Sequence, residues 1–101
     1  MTIRSLLAAA AVLALVACGN TPPAPDWQMN AKASAERATQ AWLTGDPRVE
    51  AAEFARARRE VASTGQPALL ARVELLRCAG RVAALDVGPC AGFDALAADA
   101  A

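Results

Sequence analysis

The chain has 101 residues, with 10 basic and 10 acidic side chains and no histidine. This length allows one small domain at most, and the balanced charge argues against a protein that binds nucleic acid. Histidine is the commonest general base and metal ligand, and no glycine-rich phosphate loop is present, so we expect no catalytic residues, no metal, no cofactor and no small-molecule substrate.

Residues 1–17 have the pattern of a secretory signal peptide. One positive charge, on Arg4, precedes an apolar run from Leu6 to Val16, and the small residue Ala17 ends the segment. A spanning helix needs about 20 apolar residues, so this run is too short to cross a membrane. We expect the segment to be removed by cleavage.

The four residues Leu15-Val16-Ala17-Cys18 resemble the lipobox of bacterial lipoprotein precursors. The resemblance implies that diacylglycerol is attached to Cys18 through a thioether, that cleavage occurs before this residue, and that its new amino group is acylated, for example with palmitate. Gly19 stands where an aspartate favours retention in the inner membrane. The implied location is the cell envelope, on the outer membrane and facing the periplasm.

The segment that follows, Gly19–Pro25, has the sequence GNTPPAP and predicts an extended tether about 20 Å long. Asp26 is the expected N-cap of a first helix over residues 27–44, which Gly45 should end. Apolar residues recur on one face of this helix at spacings of three and four, at Trp27, Ala31, Ala35, Ala38 and Trp42.

A second helix is predicted from Asp46-Pro47 to about Ser63, because aspartate and proline are typical of a helix start. Its apolar stripe contains Ala51, Phe54, Ala57 and Val61, and Arg56 and Glu60 have the spacing of an i,i+4 ion pair.

The third predicted helix begins at Gln66-Pro67, runs to about Leu85 and is the most hydrophobic, so we expect it at the centre of the fold. Its apolar positions form two neighbouring lines, with Leu69, Val73, Leu76 and Ala83 in one and Leu75, Cys78, Val82 and Leu85 in the other. After a turn at Gly88-Pro89, a short fourth helix starts near Ala91 and carries Phe93 and Leu96.

No segment has the alternating pattern of a strand. The predicted fold class is therefore all-α, a small antiparallel bundle of three helices plus a short fourth helix. We expect a signal peptide over residues 1–17, the lipidated cysteine and tether over 18–25, and a small helical domain over 26–101.

The first two helices of this domain resemble the helical hairpin of a tetratricopeptide repeat. The resemblance depends on the turn at Gly45-Asp46 and on the spacing of Phe54 and Ala57. Glu50 departs from the pattern, which has a small residue at that position, and no second copy of the repeat follows. The resemblance thus covers one hairpin.

Cys78 and Cys90 remain once Cys18 is lipidated, and an oxidising periplasm favours a structural disulfide between them. The turn at Gly88-Pro89 allows the chain to bring them together. Two buried free thiols and a redox-active pair are the alternatives. The spacing differs from the C-x-x-C motif of redox proteins, and two thiols do not form a zinc site.

Five other side chains are candidate partner contacts. Trp27 and Trp42 lie on one helix face. They either anchor a binding partner or, as we favour, supply bulk to the core. Arg56, Arg58 and Arg59 form a basic cluster that either contacts anionic lipid or polymer or, as we favour, is a solvated face balanced by nearby glutamates. Glu50 and Glu53 are predicted to face solvent, so they are not expected to act as an acid–base pair.

These observations predict a non-catalytic, membrane-anchored periplasmic lipoprotein whose helical domain is an interaction or structural module of the cell envelope. Its membrane contact would be the lipid on Cys18, and its partner another envelope protein. The alternative is that the chain is a truncated portion or an accessory domain of a larger envelope protein or enzyme.

Overall fold

The computed structural model describes residues 2–18 and 22–100, and it leaves out the side chains of residues 15–18. This part of the chain contains helices and no strand, so the predicted all-α class is confirmed. The helices are α1 (Ile3–Cys18), α2 (Asp26–Leu43), α3 (Pro47–Ala62), α4 (Pro67–Ala83) and α5 (Ala91–Ala100).

Helix α1 contains the apolar run of the predicted signal peptide. Its large side chains over residues 3–13 are exposed, and its described residues make no contact with the other helices. Within the described ranges, no helix has the length and apolar character needed to cross a membrane. The predicted acylation of Cys18 and the first three tether residues, 19–21, lie outside what the structure describes.

The turn between α2 and α3 follows the sequence prediction closely. Gly45 adopts a φ of 77°, and two backbone bonds close the end of α2, from Gly45 N to Trp42 O at 3.2 Å and from Asp46 N to Ala41 O at 2.8 Å. The Asp46 carboxylate accepts a bond from the backbone N–H of Val49 at 3.1 Å. Both the C′ glycine and the N-cap aspartate are thereby confirmed.

The predicted cap at the start of α2 is wrong by one residue. Pro25 is the N-cap, with φ −58° and ψ 152°, and it has no side-chain group that can cap the helix. Asp26 is already helical. Its negative charge in the first turn still interacts favourably with the helix dipole, so the residue type suits the position without acting as the cap.

Small side chains form most of the core between α2, α3 and α4. The buried apolar residues are Ala31, Ala38, Ala41, Phe54, Ala57, Val61 and Ala71. The predicted stripe of α3 needs one correction, because Ala51 is exposed and Glu50, one position earlier, is buried. Glu50 lies four residues before Phe54, so it shares the face of α3 that packs against α4.

Helix α4 contacts α2, α3 and α5, but its contact with α2 is narrow. Several of its apolar residues remain exposed, among them Leu75, Leu76 and Val82. The prediction that Leu85 lies in the apolar surface of α4 is wrong. The helix ends at Ala83, and Leu85 follows with a φ of 65° and a side chain that is 87% exposed.

Candidate functional site

Pairs of charged side chains join the helices of the domain. Arg37 on α2 pairs with Glu53 on α3 at 3.0 Å. Two further pairs connect α3 with α4, between Glu50 and Arg77 and between Arg58 and Glu74. Glu50 and Glu74 are both buried, so each of these two carboxylates has its negative charge compensated within the fold.

The pair between Glu50 and Arg77 has the best geometry of the three. The Nε and Nη2 atoms of Arg77 donate to the two carboxylate oxygens of Glu50 at 2.7 and 2.9 Å. The guanidinium also lies 4.2 Å from the centre of the Phe54 ring. Bidentate geometry and ring stacking are both properties of arginine that lysine lacks.

The hydrogen bonds that Arg77 donates to Glu50 raise the pKa of Arg77, with burial opposing this and the charges of Glu50 and Glu74 adding to it. Because the folded pKa lies above the unfolded one, the pair's contribution to stability is fully present at neutral pH. The contribution of the charged guanidinium is lost as the pH rises through its folded pKa.

The solvent-facing placement predicted for Glu50 and Glu53 is therefore wrong. Glu50 is 4% exposed, and the Glu53 side chain is largely covered between Arg37 and Arg56. The residue that sequence reasoning missed is Arg77, which compensates the charge of Glu50. The available signal was the helical spacing between Glu50 and Phe54, which places the carboxylate on the buried stripe.

The predicted basic cluster of Arg56, Arg58 and Arg59 is divided between different surroundings. Arg58 reaches Glu74 on α4 at 2.9 Å, whereas Arg56 pairs with Glu53 at 3.4 Å. The predicted pair between Arg56 and Glu60 does not form, because Glu60 accepts a bond from Asn30 on α2 instead. Arg59 is exposed and forms no ion pair within residues 22–100.

The two tryptophans occupy separate places on α2. Trp27 is half-buried at the start of the helix, and Trp42 is half-buried near its end, about 22 Å away at 1.5 Å per residue. The guanidinium of Arg81 lies 5.1 Å from the Trp42 ring. In the described part of the chain, Trp42 Nε1 and Arg81 Nε are buried without a hydrogen-bond partner.

Trp42 forms one end of an apolar groove between α2 and α4, with α3 as its floor. We name it the Trp42 groove; its main lining residues are Ala35, Ala38, Trp42, Phe54, Val73 and Leu76. Its enclosed volume is only about 30 Å³, but Leu76 at its edge is 54% exposed and also lines a second apolar depression beside α2. The groove arises because small side chains on α2 face α4 across a narrow contact.

Cys78 on α4 and Cys90, just before α5, form a disulfide with their Cα atoms 5.6 Å apart. The prediction that the turn brings them together is confirmed. Helix α5 packs against α4 beyond this bond, so closely that a Cβ atom on Gly92 would collide with the carboxylate of Glu74. The disulfide thus holds α5 over one side of α4.

No group of three histidine, cysteine, aspartate or glutamate side chains that could hold a metal ion occurs in the described ranges. Comparison of the chain with protein-family models, with curated proteins and with solved structures found no match.

Proposed function

We propose that α2, α3 and α4 form an antiparallel bundle to which α5 is added as a short fourth helix. Contacts between α2 and α3 support this arrangement, because Asn30 meets Glu60 and, further along α2, Arg37 meets the earlier residue Glu53. In an antiparallel pair of helices, contacts made by later residues of one helix fall on earlier residues of the other. The short connections at Gly45 and Gly65 favour the same topology.

We also propose that the protein is a lipid-anchored lipoprotein of the bacterial envelope, and that its domain is a non-catalytic module that binds another envelope protein. The lipobox-like residues ending at Cys18, the apolar helix before them and the proline-rich segment after them support the anchor. Cleavage before Cys18 would leave the domain on a tether of seven residues.

The Trp42 groove carries the binding part of the proposal. An apolar side chain of a partner helix placed beside Leu76 would cover area that α2 and α4 leave open to water. Tryptophan is among the residues that are enriched in interface hot spots.

The carboxylates near this groove support a non-catalytic function. A general acid or base needs a carboxyl group free to exchange a proton with a substrate. Glu50, which lines the groove, is held by two hydrogen bonds from Arg77, and Glu74 is held by Arg58. Each carboxylate therefore has a structural partner already.

Mass spectrometry of the protein from its membrane fraction tests the anchor. We expect an amino-terminal peptide that begins at Cys18 and carries a diacylglyceryl group and an amide-linked acyl chain. A Cys18→Ser variant should lose these lipids and leave the membrane fraction. If this variant matures and fractionates as the native protein does, the anchor proposal is wrong.

Photo-crosslinking in living cells tests the binding surface. A photoreactive amino acid at Leu76 should yield a discrete crosslinked product that disappears in the Cys18→Ser background. The same amino acid at Leu75 is the matched control, because that residue is 46% exposed but points about 100° away around α4. Equal products at both positions would rule out the Trp42 groove as the specific contact.

A further inference from the structure

A polar groove lies between α2 and α3 on another part of the surface from the Trp42 groove. We name it the arginine groove; its polar lining residues are Asn30, Ser34, Arg37, Arg56, Arg59 and Glu60. It is open and has a volume of about 370 Å³, which is within the usual range for small-molecule sites. Arg56 and Arg59 of the predicted basic cluster therefore line the same groove as Arg37 of the neighbouring helix.

Most of the groups in this groove are hydrogen-bond donors. Ser34 is 4% exposed, and its hydroxyl oxygen accepts a bond from Arg37 at 3.1 Å. Within residues 22–100 its own proton has no acceptor, and Arg59 has no ion-pair partner. A hydroxyl group and an unpaired guanidinium group can both donate hydrogen bonds to phosphate oxygens.

The charge of the arginine groove favours an anion. Glu53 accepts bonds from Arg37 and Arg56, which leaves these two guanidinium groups partly neutralised. Glu60 lies at the rim and is held by the Asn30 amide at 3.5 Å. Three arginines against two glutamates leave one net positive charge, and Arg59 is the arginine without a carboxylate.

The position of the groove points to the source of this anion. Asn30 lies only four residues after the start of α2, about 6 Å along the helix, and its contact with Glu60 places the end of α3 at the same level. The chain enters the domain at this end, directly after the tether. With a lipid on Cys18, a tether of about 20 Å would hold this end of the domain near the headgroups.

We infer that the arginine groove binds the phosphate group of an anionic phospholipid in the membrane that holds the anchor. The inference depends on the proposed anchor for its biological setting. Phosphate binding would fix the orientation of the domain on the bilayer, with the α2–α3 turn at Gly45 pointing away from it. Such an orientation leaves the Trp42 groove accessible to a partner.

Vesicle co-sedimentation tests the inference, with the full chain carrying Cys18→Ser so that acylation does not contribute. Vesicles of phosphatidylcholine with one quarter phosphatidylglycerol are compared with vesicles of phosphatidylcholine alone. Arg59→Gln should weaken binding to the anionic vesicles about five-fold, the factor typical of one arginine at an anionic surface, and should leave binding to neutral vesicles unchanged.

Arg48→Gln is the matched control, since Arg48 is also exposed on α3 but lies about 16 Å from Arg59, near the opposite end of the helix. Arg48→Gln removes the same charge as Arg59→Gln, and both variants retain α1. We expect Arg48→Gln to change binding to the anionic vesicles by less than two-fold. Equal losses in the two variants would overturn the inference, because they would indicate general charge attraction.

The source of the phosphate is tested separately by titrating inorganic phosphate into the same protein without vesicles. Saturable binding that Arg59→Gln abolishes, together with equal vesicle binding of all variants, would overturn the lipid source in favour of free phosphate. Because acylation is absent from both assays, their outcome is independent of the mass-spectrometric test of the anchor.

Discussion

Arg77 on α4 donates two hydrogen bonds to the carboxylate of Glu50 on α3, and the same guanidinium stacks on Phe54 beside it. Arg77 therefore takes part in both the ionic and the apolar contacts between α3 and α4. Because Glu50 is almost fully removed from water, the loss of Arg77 would leave a buried charge without compensation. The loss of both charges together would leave no uncompensated charge in the interior.

Arg77→Met is expected to lower the free energy of unfolding by about 3 kcal/mol, as is typical when one partner of a buried pair is removed. The double variant Glu50→Leu/Arg77→Met should recover most of this loss, because an apolar pair of similar volume replaces the two charges. Urea denaturation followed by circular dichroism measures both values.

Arg72→Met is the control for this experiment, since Arg72 is exposed on the same helix. Its effect should stay within about 0.5 kcal/mol. If the double variant is as unstable as Arg77→Met alone, the buried charge is not the cause and the stacking on Phe54 dominates instead.

The disulfide between Cys78 and Cys90 is expected to stabilise the domain by about 3 kcal/mol, because it closes a short loop in the unfolded chain. Replacing both cysteines with serine should therefore lower the midpoint of thermal unfolding. The native protein under reducing conditions should behave like this variant. A reductant that leaves the midpoint of the native protein unchanged would contradict the prediction.

Hydrogen exchange shows where the effect of the disulfide is located. Helix α5 contacts only α4 within the described residues, so its amides should lose protection first when the bond is absent. The amides of α2 and α3 are the internal control and should keep most of their protection. Equal loss in all helices would indicate that α5 and the rest of the domain unfold as one unit.

Much of the fold was predictable because the signals for helix ends are local. The turn at Gly45-Asp46 and the prolines that begin α3 and α4 placed these boundaries within one or two residues. Although local spacing places Glu50 on the buried stripe of α3, its ion pair was not predictable in the same way. It depends on Arg77, which lies 27 residues later and reaches Glu50 only when α3 and α4 pack together.

The arginine cluster shows the same limit for the candidate sites. Residues 56, 58 and 59 are neighbours in sequence, but successive helical positions point in directions about 100° apart. Arg58 therefore faces α4 and Glu74, whereas Arg59 borders the groove beside α2. Which arginine meets which carboxylate is decided by the positions of the other helices, and no local pattern encodes them.

Gly92→Ala is expected to destabilise the domain by about 1 kcal/mol. The new methyl group would collide with the carboxylate of Glu74, and this side chain cannot move freely because it is buried and paired with Arg58. The loss should appear in urea denaturation and as weaker protection of α5 in hydrogen exchange.

Gly80→Ala is the matched control for Gly92→Ala. Gly80 lies inside α4 with open space where its Cβ would be, so alanine should stabilise the helix by about 1 kcal/mol. Opposite signs for the two substitutions would support the close contact between α4 and α5. A gain in stability at both positions would show that α5 is not packed against Glu74 in solution.

Leu85 is the residue at which the end of α4 is most easily improved. It occupies the C′ position with a φ of 65°, and the backbone bonds from Leu85 N to Val82 O and from Asp86 N to Arg81 O close the helix around it. A side chain in this left-handed conformation costs about 1–2 kcal/mol, and the exposed side chain of Leu85 gives little packing in return.

Leu85→Gly should therefore raise the free energy of unfolding by about 0.5–1 kcal/mol, after the greater entropy of glycine in the unfolded chain is subtracted. Ala84→Gly, one residue earlier at a φ of −87°, has no strain to relieve and should lower stability by a similar amount. If both variants are destabilised equally in urea denaturation, the left-handed end of α4 is not the conformation that the chain adopts in solution.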